Sequence, residues 1–99
     1  MSTDDPVPEL AQTFRLLGDP TRLAILLACL AEPRPVGELA AGLGLTPSLV
    51  SHHLRLLRTA RLLAATRRGK QVFHAAADRH IADMLTAMLD HQAEDRHAA

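Results

Sequence analysis

Apolar residues recur at helical spacing along most of this chain, and the breaks between the runs carry recognisable end signals. Leu10, Phe14 and Leu17 predict a first helix over about 8–17, with Gly18 ending it. Asp19 then stands as an N-cap, with Pro20 at the first position of a second helix. Leu23, Leu26, Leu27 and Leu30 give that helix one apolar face, and Pro33 and Pro35 close it. A short helix over about 36–41 leads into the two-glycine turn GLGL. Thr46 and Pro47 repeat the cap-plus-proline signal for a helix running to about 59, with Leu49, Val50, Leu54 and Leu57 on its inner side. The period then drops to two. Residues 62–66 and 71–75 read as strands around the turn RRGK, where Gly69 supplies positive φ. Past Asp78 the helical period returns, with Ile81, Met84, Leu85, Met88 and Leu89 in one stripe.

Two short helices joined by a glycine-containing turn make a helix-turn-helix, and a hairpin directly after the second helix makes a wing. The N-terminal part of the second helix of such a motif faces base edges in the major groove. Ser48, Ser51 and His52 stand there, and Arg55 follows. A serine hydroxyl and an imidazole each offer a donor and an acceptor to a base edge. Arg67, Arg68 and Lys70 sit at the tip of the wing, within reach of backbone phosphate or the minor groove.

Charge sharpens this picture. The 99 residues carry 11 basic and 11 acidic side chains, so the net charge is zero. Yet every charged residue from Thr46 to Ala77 is basic, while both ends are net acidic. A basic middle is the footprint of a phosphate-binding surface. There is no Trp or Tyr, and 2 Phe are too few for the stacking platforms of single-strand binders, which points to duplex DNA. Neither a glycine-rich phosphate loop nor a Ser-His-Asp arrangement is present, so an enzyme is not expected. No apolar run is long enough for a membrane span, and the acidic, proline-broken start is unlike a signal peptide, so a cytoplasmic protein is expected. Cys29, the single cysteine, falls in an apolar run and reads as a small buried side chain. One domain is expected over 8–95, between a disordered tail at 1–7 and a short tail at 96–99.

The final helix poses a separate question. Asp78 and His80 lie at its start, His91 and Glu94 towards its end, and His80, His91 and Glu94 share one flank of the apolar stripe. His80 and His91 are separated by roughly 16 Å along the axis. An ion that holds its donors at about 2.0–2.2 Å cannot bridge them within one chain. Two copies packed antiparallel would set Asp78 and His80 of one beside the other pair of the second, making two equivalent sites per dimer. The plain alternative is a solvated flank of a dimer helix. Two imidazoles and two carboxylates suit tetrahedral Zn(II), with Co(II) as a substitute and Ni(II) as a further candidate. His74 and His97 are weaker candidates for an extra ligand, and His53 reads as a surface residue.

The stretches LLGDPTRLAILLACL, LGLTPSLVSHHLRLLRTARLL and RRGKQVFHAAADRHIADML together resemble the ArsR/SmtB family of bacterial metal-responsive repressors, over roughly residues 9–95. The resemblance implies a mainly α, homodimeric winged helix-turn-helix: three helices, the recognition helix, a β-hairpin and a last helix. It places the dimer interface on the first and last helices, and DNA contacts at Ser48, Ser51, His52 and the wing. Pro47 stands where some relatives have a polar residue, so no base contact is carried to it. The family's last-helix site, Asp-x-His-x10-His-x2-(His or Glu), is matched by Asp78, His80, His91 and Glu94. The family's cysteine site on the third helix has no counterpart in VGELAAGLG. Nickel-sensing relatives take extra histidines from their tails, and the N-terminal tail here has none, which ranks zinc first. The resemblance also implies that the free ring N–H of His91 bonds a backbone carbonyl near Arg61. The expected function is metal-triggered release from an operator. Alternatives are a metal-independent or metal-activated winged-helix regulator, and a protein-interaction module acting with a companion subunit.

Overall fold

The structure, a computed structural model, describes residues 4–98. Its elements run α1 (Val7–Leu17), α2 (Pro20–Ala28), β1 (Arg34–Pro35), α3 (Val36–Leu43), α4 (Pro47–Thr59), β2 (Leu63–Arg68), β3 (Gln71–Ala76) and α5 (Arg79–Ala98). This is the expected winged helix-turn-helix, with α4 as recognition helix and β2–β3 as wing.

The end signals act as their chemistry requires. Asp19 Oδ1 accepts from the Arg22 amide at 2.9 Å, and Thr46 Oγ1 from the Leu49 amide at 3.2 Å, so each satisfies a donor that the first helical turn leaves unpaired. Gly44 ends α3 at φ 67°, a conformation that costs glycine little. Recognition helix α4 ends differently. Leu62 N–H donates to the Leu57 carbonyl and Arg61 N–H to the Arg58 carbonyl, both at 2.9 Å, which is a Schellman motif. Its left-handed position is filled by Arg61 at φ 60°, where glycine is the usual occupant.

The core gathers Ile25 and Leu26 from α2, Leu39 from α3, and Val50, Leu54 and Leu57 from α4, each at most 2% exposed. Burying each such side chain contributes about 1.5–3 kcal/mol. Leu62, Leu63 and Leu85 close it from the wing and α5. The wing is antiparallel, with Arg68 opposite Gln71 across the Gly69-Lys70 turn.

Several expectations change. The inner face of α2 is Ile25, Leu26 and Cys29, while Leu23, Leu27 and Leu30 are only half-buried at its side. A helix apolar on nearly every side gives period alone little to choose between. Leu49 is 40% exposed, because it lies about 90° from the Val50-centred inner face. His53 is 6% exposed, not a surface residue, because it falls three residues after Val50 and four before Leu57. Pro35, expected only to help close α2, instead joins Arg34 in a third strand against Phe73 and His74, and the sheet order is β1-β3-β2. Proline is tolerated there because the strand is at an edge.

An apolar face remains uncovered. Val7 (63% exposed), Leu10 (53%) and Phe14 (54%) line one side of α1, and Met88 (52%) and Leu89 (44%) continue it on α5. Between them, Phe14, Leu17, Leu23, Met84, Leu85 and Met88 line a hollow of about 280 Å³.

Candidate DNA-binding face and metal-binding helix

Turning α4 at about 100° per residue places Ser48, His52 and Arg55 opposite the Val50–Leu54–Leu57 core face, with Ser51 and Arg58 on the flank nearer Leu54. All five are exposed, and with Pro47 they line one open hollow of about 500 Å³. The structure therefore brings the four expected α4 residues together and adds Arg58, which the sequence reading had passed over. Its position three residues after Arg55 was the available signal. The wing residues are exposed as expected. Arg67 Nε donates to the Gly69 carbonyl at 3.3 Å, and the Arg68 guanidinium lies 5.0 Å from the centre of the Phe73 ring. Both contacts restrict long side chains before any ligand is bound.

Beneath this face lies a buried polar link. His74 on β3 is 1% exposed, and its Nε2 is 2.9 Å from Arg58 Nη1. Guanidinium only donates, so Nε2 accepts, and the ring proton on Nδ1 faces the Arg34 carbonyl at 3.4 Å. Burial holds His74 below the usual histidine pKa, with Arg58 adding to the effect and the Arg34 carbonyl opposing it. Arg34 is itself fixed, donating to the Ala28 carbonyl at 3.1 Å and pairing with Glu32 and Glu38. With both ring nitrogens engaged, His74 packs rather than waiting as a ligand. His53, at the start of α4's inner face, is also held neutral, first by burial and then by Arg22. Its Nδ1 and Arg22 Nε have no hydrogen-bond partner.

The candidate ligands lie on α5 as two separate groups. Asp78 Oδ1 caps the helix by accepting from the Ile81 amide at 3.1 Å, and His80 Nδ1 stands 3.6 Å from the same oxygen. These side chains are 55% and 81% exposed. His91 and Glu94 are exposed further along the helix. Among the described residues no group of three or more His, Cys, Asp or Glu could hold an ion. Within one chain the two groups of donors therefore stay apart. The side chain of His97 lies outside the described residues. Cys29 is 1% exposed, and burial pushes its thiol up to about 11.

The sequence profile of the bacterial regulatory protein arsR family matches residues 19–65, the span from the cap of α2 into the wing. The chain is 36% identical over 90 residues to a transcriptional repressor SmtB homologue from Synechocystis, covering 91% of this chain and 68% of that protein. It belongs to the ArsR family. Its helix-turn-helix is therefore that of a DNA-binding transcriptional regulator, not an enzyme. The regulator CmtR of Mycobacterium tuberculosis is 51% identical over 76 residues, covering 77% of this chain and 64% of CmtR. The chain thus spans about two thirds of the length of these relatives. The CmtR structure, described as a cadmium metal-sensor, aligns with TM-score 0.68 at 49% identity over 78% of this ArsR-family chain and 80% of that one. Apo-NmtR aligns at TM-score 0.80 and 32% identity, over 95% and 81%. Among the described residues, no helix is long and apolar enough to cross a membrane.

Proposed function

We propose that this ArsR-family chain works as a cytoplasmic homodimer that binds an operator when metal-free and leaves it when metal binds between the two α5 helices. The observation that carries this is the layout of α5. Its exposed donors fall into two groups, flanking an apolar face that a lone soluble domain would not leave bare. A second copy, antiparallel across Phe14, Met84 and Met88, would cover that face. Asp78 and His80 of one chain would then meet His91 and Glu94 of the other. Such nitrogen and oxygen donors fit Zn(II) first and Co(II) or Ni(II) next. The likeness to the cadmium sensor does not carry cadmium over. The only thiol in these 99 residues is Cys29, buried and held protonated, so they supply no soft thiolate set.

In this reading Ser48, Ser51, His52 and Arg55 meet base edges and phosphates, and Arg67, Arg68 and Lys70 hold the adjacent backbone. Metal joins the two α5 helices and fixes a spacing of recognition helices that no longer matches successive major grooves. A bond from the free ring nitrogen of His91 to a carbonyl near Arg61 would carry the constraint to the end of α4. Linkage requires DNA to weaken metal binding by the same factor.

The test uses a duplex selected by the metal-free protein from a randomised library. Zn(II), Co(II) and Ni(II) are titrated separately into the complex at fixed salt while anisotropy is followed. Zn(II) is expected to weaken binding at least fivefold, the lower end of usual allosteric couplings of about 1–3 kcal/mol. His91→Gln is expected to bind the duplex normally and ignore the metal. Unchanged affinity with all three ions defeats metal-triggered release, and tighter binding reverses its sign. A chain that stays monomeric at micromolar concentration removes the site altogether.

A further inference from the structure

We infer that Arg58 is a further DNA contact of the recognition helix and that His74, buried in the wing sheet, is the residue that positions it. The inference rests on the proposed DNA-binding face and goes beyond it. Arg58 lines the same hollow as Ser48, Ser51, His52 and Arg55, and Ser51, Arg55 and Arg58 follow one another at i, i+4 and i+7. The Arg58 guanidinium is also held by a buried side chain of the wing, His74.

Two arginines are matched with carboxylates, Arg34 with Glu32 and Glu38 and Arg61 with Glu9, while Arg22 and Arg67 donate to backbone carbonyls. Arg58, among the described residues, is held by a neutral imidazole instead, at 2.9 Å. The difference matters for function. A carboxylate would orient the guanidinium but would also cancel its charge towards an incoming phosphate. A neutral acceptor orients it and leaves the charge intact. One N–H of the fork is engaged, and the remaining donors are left for phosphate oxygens. Arginine has many rotamers to lose, so a side chain already restrained loses less on binding DNA.

The anchor is itself rigid. His74 pairs across the sheet with Arg34 on one side and Ala65 on the other, and its Nδ1–H faces the Arg34 carbonyl. The Arg34 side chain is tied to Ala28, Glu32 and Glu38 in turn. The recognition helix is thereby joined to the wing through a side-chain link directly below the DNA face. Successive strand residues alternate faces, so Arg67 and Val72 share the face of His74. The link thus sets Arg58 in fixed relation to the side of the wing that carries Arg67.

The experiment compares duplex binding by the wild type, Arg58→Ala, His74→Phe, His74→Gln and the Arg58→Ala/His74→Phe double variant. It uses the full chain with chelator present, so metal sensing plays no part. Affinity is measured over a salt series, on the selected duplex and on a random one. Loss of one phosphate contact is expected to reduce the slope of log K against log salt by about 0.9 in Arg58→Ala on both duplexes. His74→Phe removes the acceptor and is expected to weaken binding roughly fivefold, the worth of one ordinary hydrogen bond. His74→Gln, whose amide oxygen accepts at a similar reach, is expected to restore most of it. The double variant is expected to bind no more weakly than Arg58→Ala alone. That non-additivity separates positioning from a general loss of packing. Arg58→Ala leaves the buried His74 Nε2 without its partner, so a thermal melt first confirms the fold; an unchanged salt slope in the folded variant overturns the inference. So do multiplying losses in the double variant, or a His74→Gln as weak as His74→Phe. Wild type that binds neither duplex defeats the DNA-face reading as well. Wild type that binds, with losses on Ser51→Ala and Arg55→Ala but none of the effects above, defeats only the roles of Arg58 and His74.

Discussion

Asp78 offers a way to separate a folding role from a ligand role at one position. Its carboxylate accepts from the Ile81 amide at 3.1 Å, capping α5, and stands 3.6 Å from His80 in the proposed half-site. Asp78→Ala removes both functions. Asp78→Ser keeps a capping oxygen and removes the carboxylate. Loss of a cap costs about 1 kcal/mol. For a domain of this size that lowers the melting temperature by about 4–8 °C. With chelator present, Asp78→Ala is therefore expected to melt several degrees below wild type, and Asp78→Ser close to it. With zinc the two variants should fall together. Removing even an outer-shell partner of a metal commonly costs about 10–100-fold in affinity, and a direct ligand should cost no less. A hundredfold weaker site loses about 2.7 kcal/mol of metal-induced stabilisation at the same zinc excess. Calorimetric melts at one fixed protomer concentration, with and without zinc, read both effects. Competition against a chromophoric chelator gives the affinity directly. A serine variant with wild-type zinc affinity would remove Asp78 from the site. An alanine variant melting with the serine variant in chelator would show that the cap contributes nothing.

Further outcomes follow from single features. Arg61 occupies a left-handed position at φ 60°, so Arg61→Gly is expected to raise stability by about 1 kcal/mol in urea melts, despite losing the exposed pair with Glu9; a drop would mean that pair outweighs the strain. Burial keeps His53 and His74 below the ordinary value of 6.5, so the folded chain holds them neutral while the unfolded chain takes up protons near that pH. Their contribution to stability is therefore full above about pH 6.5 and lost as pH falls below it. The urea midpoint should drop between pH 7.5 and 5.5, less so in His74→Gln, and a flat or rising midpoint would refute the assignment. Cys29, its thiol raised to about 11 by burial, should resist iodoacetamide at pH 8 in the folded chain and react quickly in urea. Fast labelling of the folded chain would contradict the burial.

What could be read from the sequence was whatever local chemistry decides. Asp19-Pro20 and Thr46-Pro47 announce helix starts because a capping oxygen and an imide ring act within one turn. The Gly69 turn and the change of period made the wing visible. The errors arose where polarity and position disagree. His53 was placed outside because it is polar, although its angle on α4 puts it beside Val50 and Leu57. Leu49 was placed inside because it is apolar, although its angle does not. The third strand was hidden because Arg34–Pro35 pairs with residues nearly forty positions away, through a proline that reads as a terminator. The Arg58–His74 contact was hidden for the same reason. Nothing within sixteen residues of sequence signals that a strand histidine will accept from a helix arginine.

The spacing of the candidate ligands can be read for a different reason, and the structure adds a route by which the proposed sites could act. A rigid helix turns sequence spacing into distance, so two donor groups three turns apart could be read as halves of different sites without any fold. Coupling to DNA needs more than spacing. The residue before Asp78 supplies it: the Ala77 amide donates to the Leu62 carbonyl at 3.0 Å. Leu62 closes the Schellman turn that ends the recognition helix, through its own amide on Leu57. Asp78, in the proposed first half-site, is therefore one residue from a backbone bond to the end of α4. In the proposed reading, an ion drawing Asp78 and His80 towards the second chain loads that bond first. A turn already strained at Arg61 has less freedom to absorb the shift locally, so the shift passes to α4, whose other end carries Ser48, Ser51 and His52.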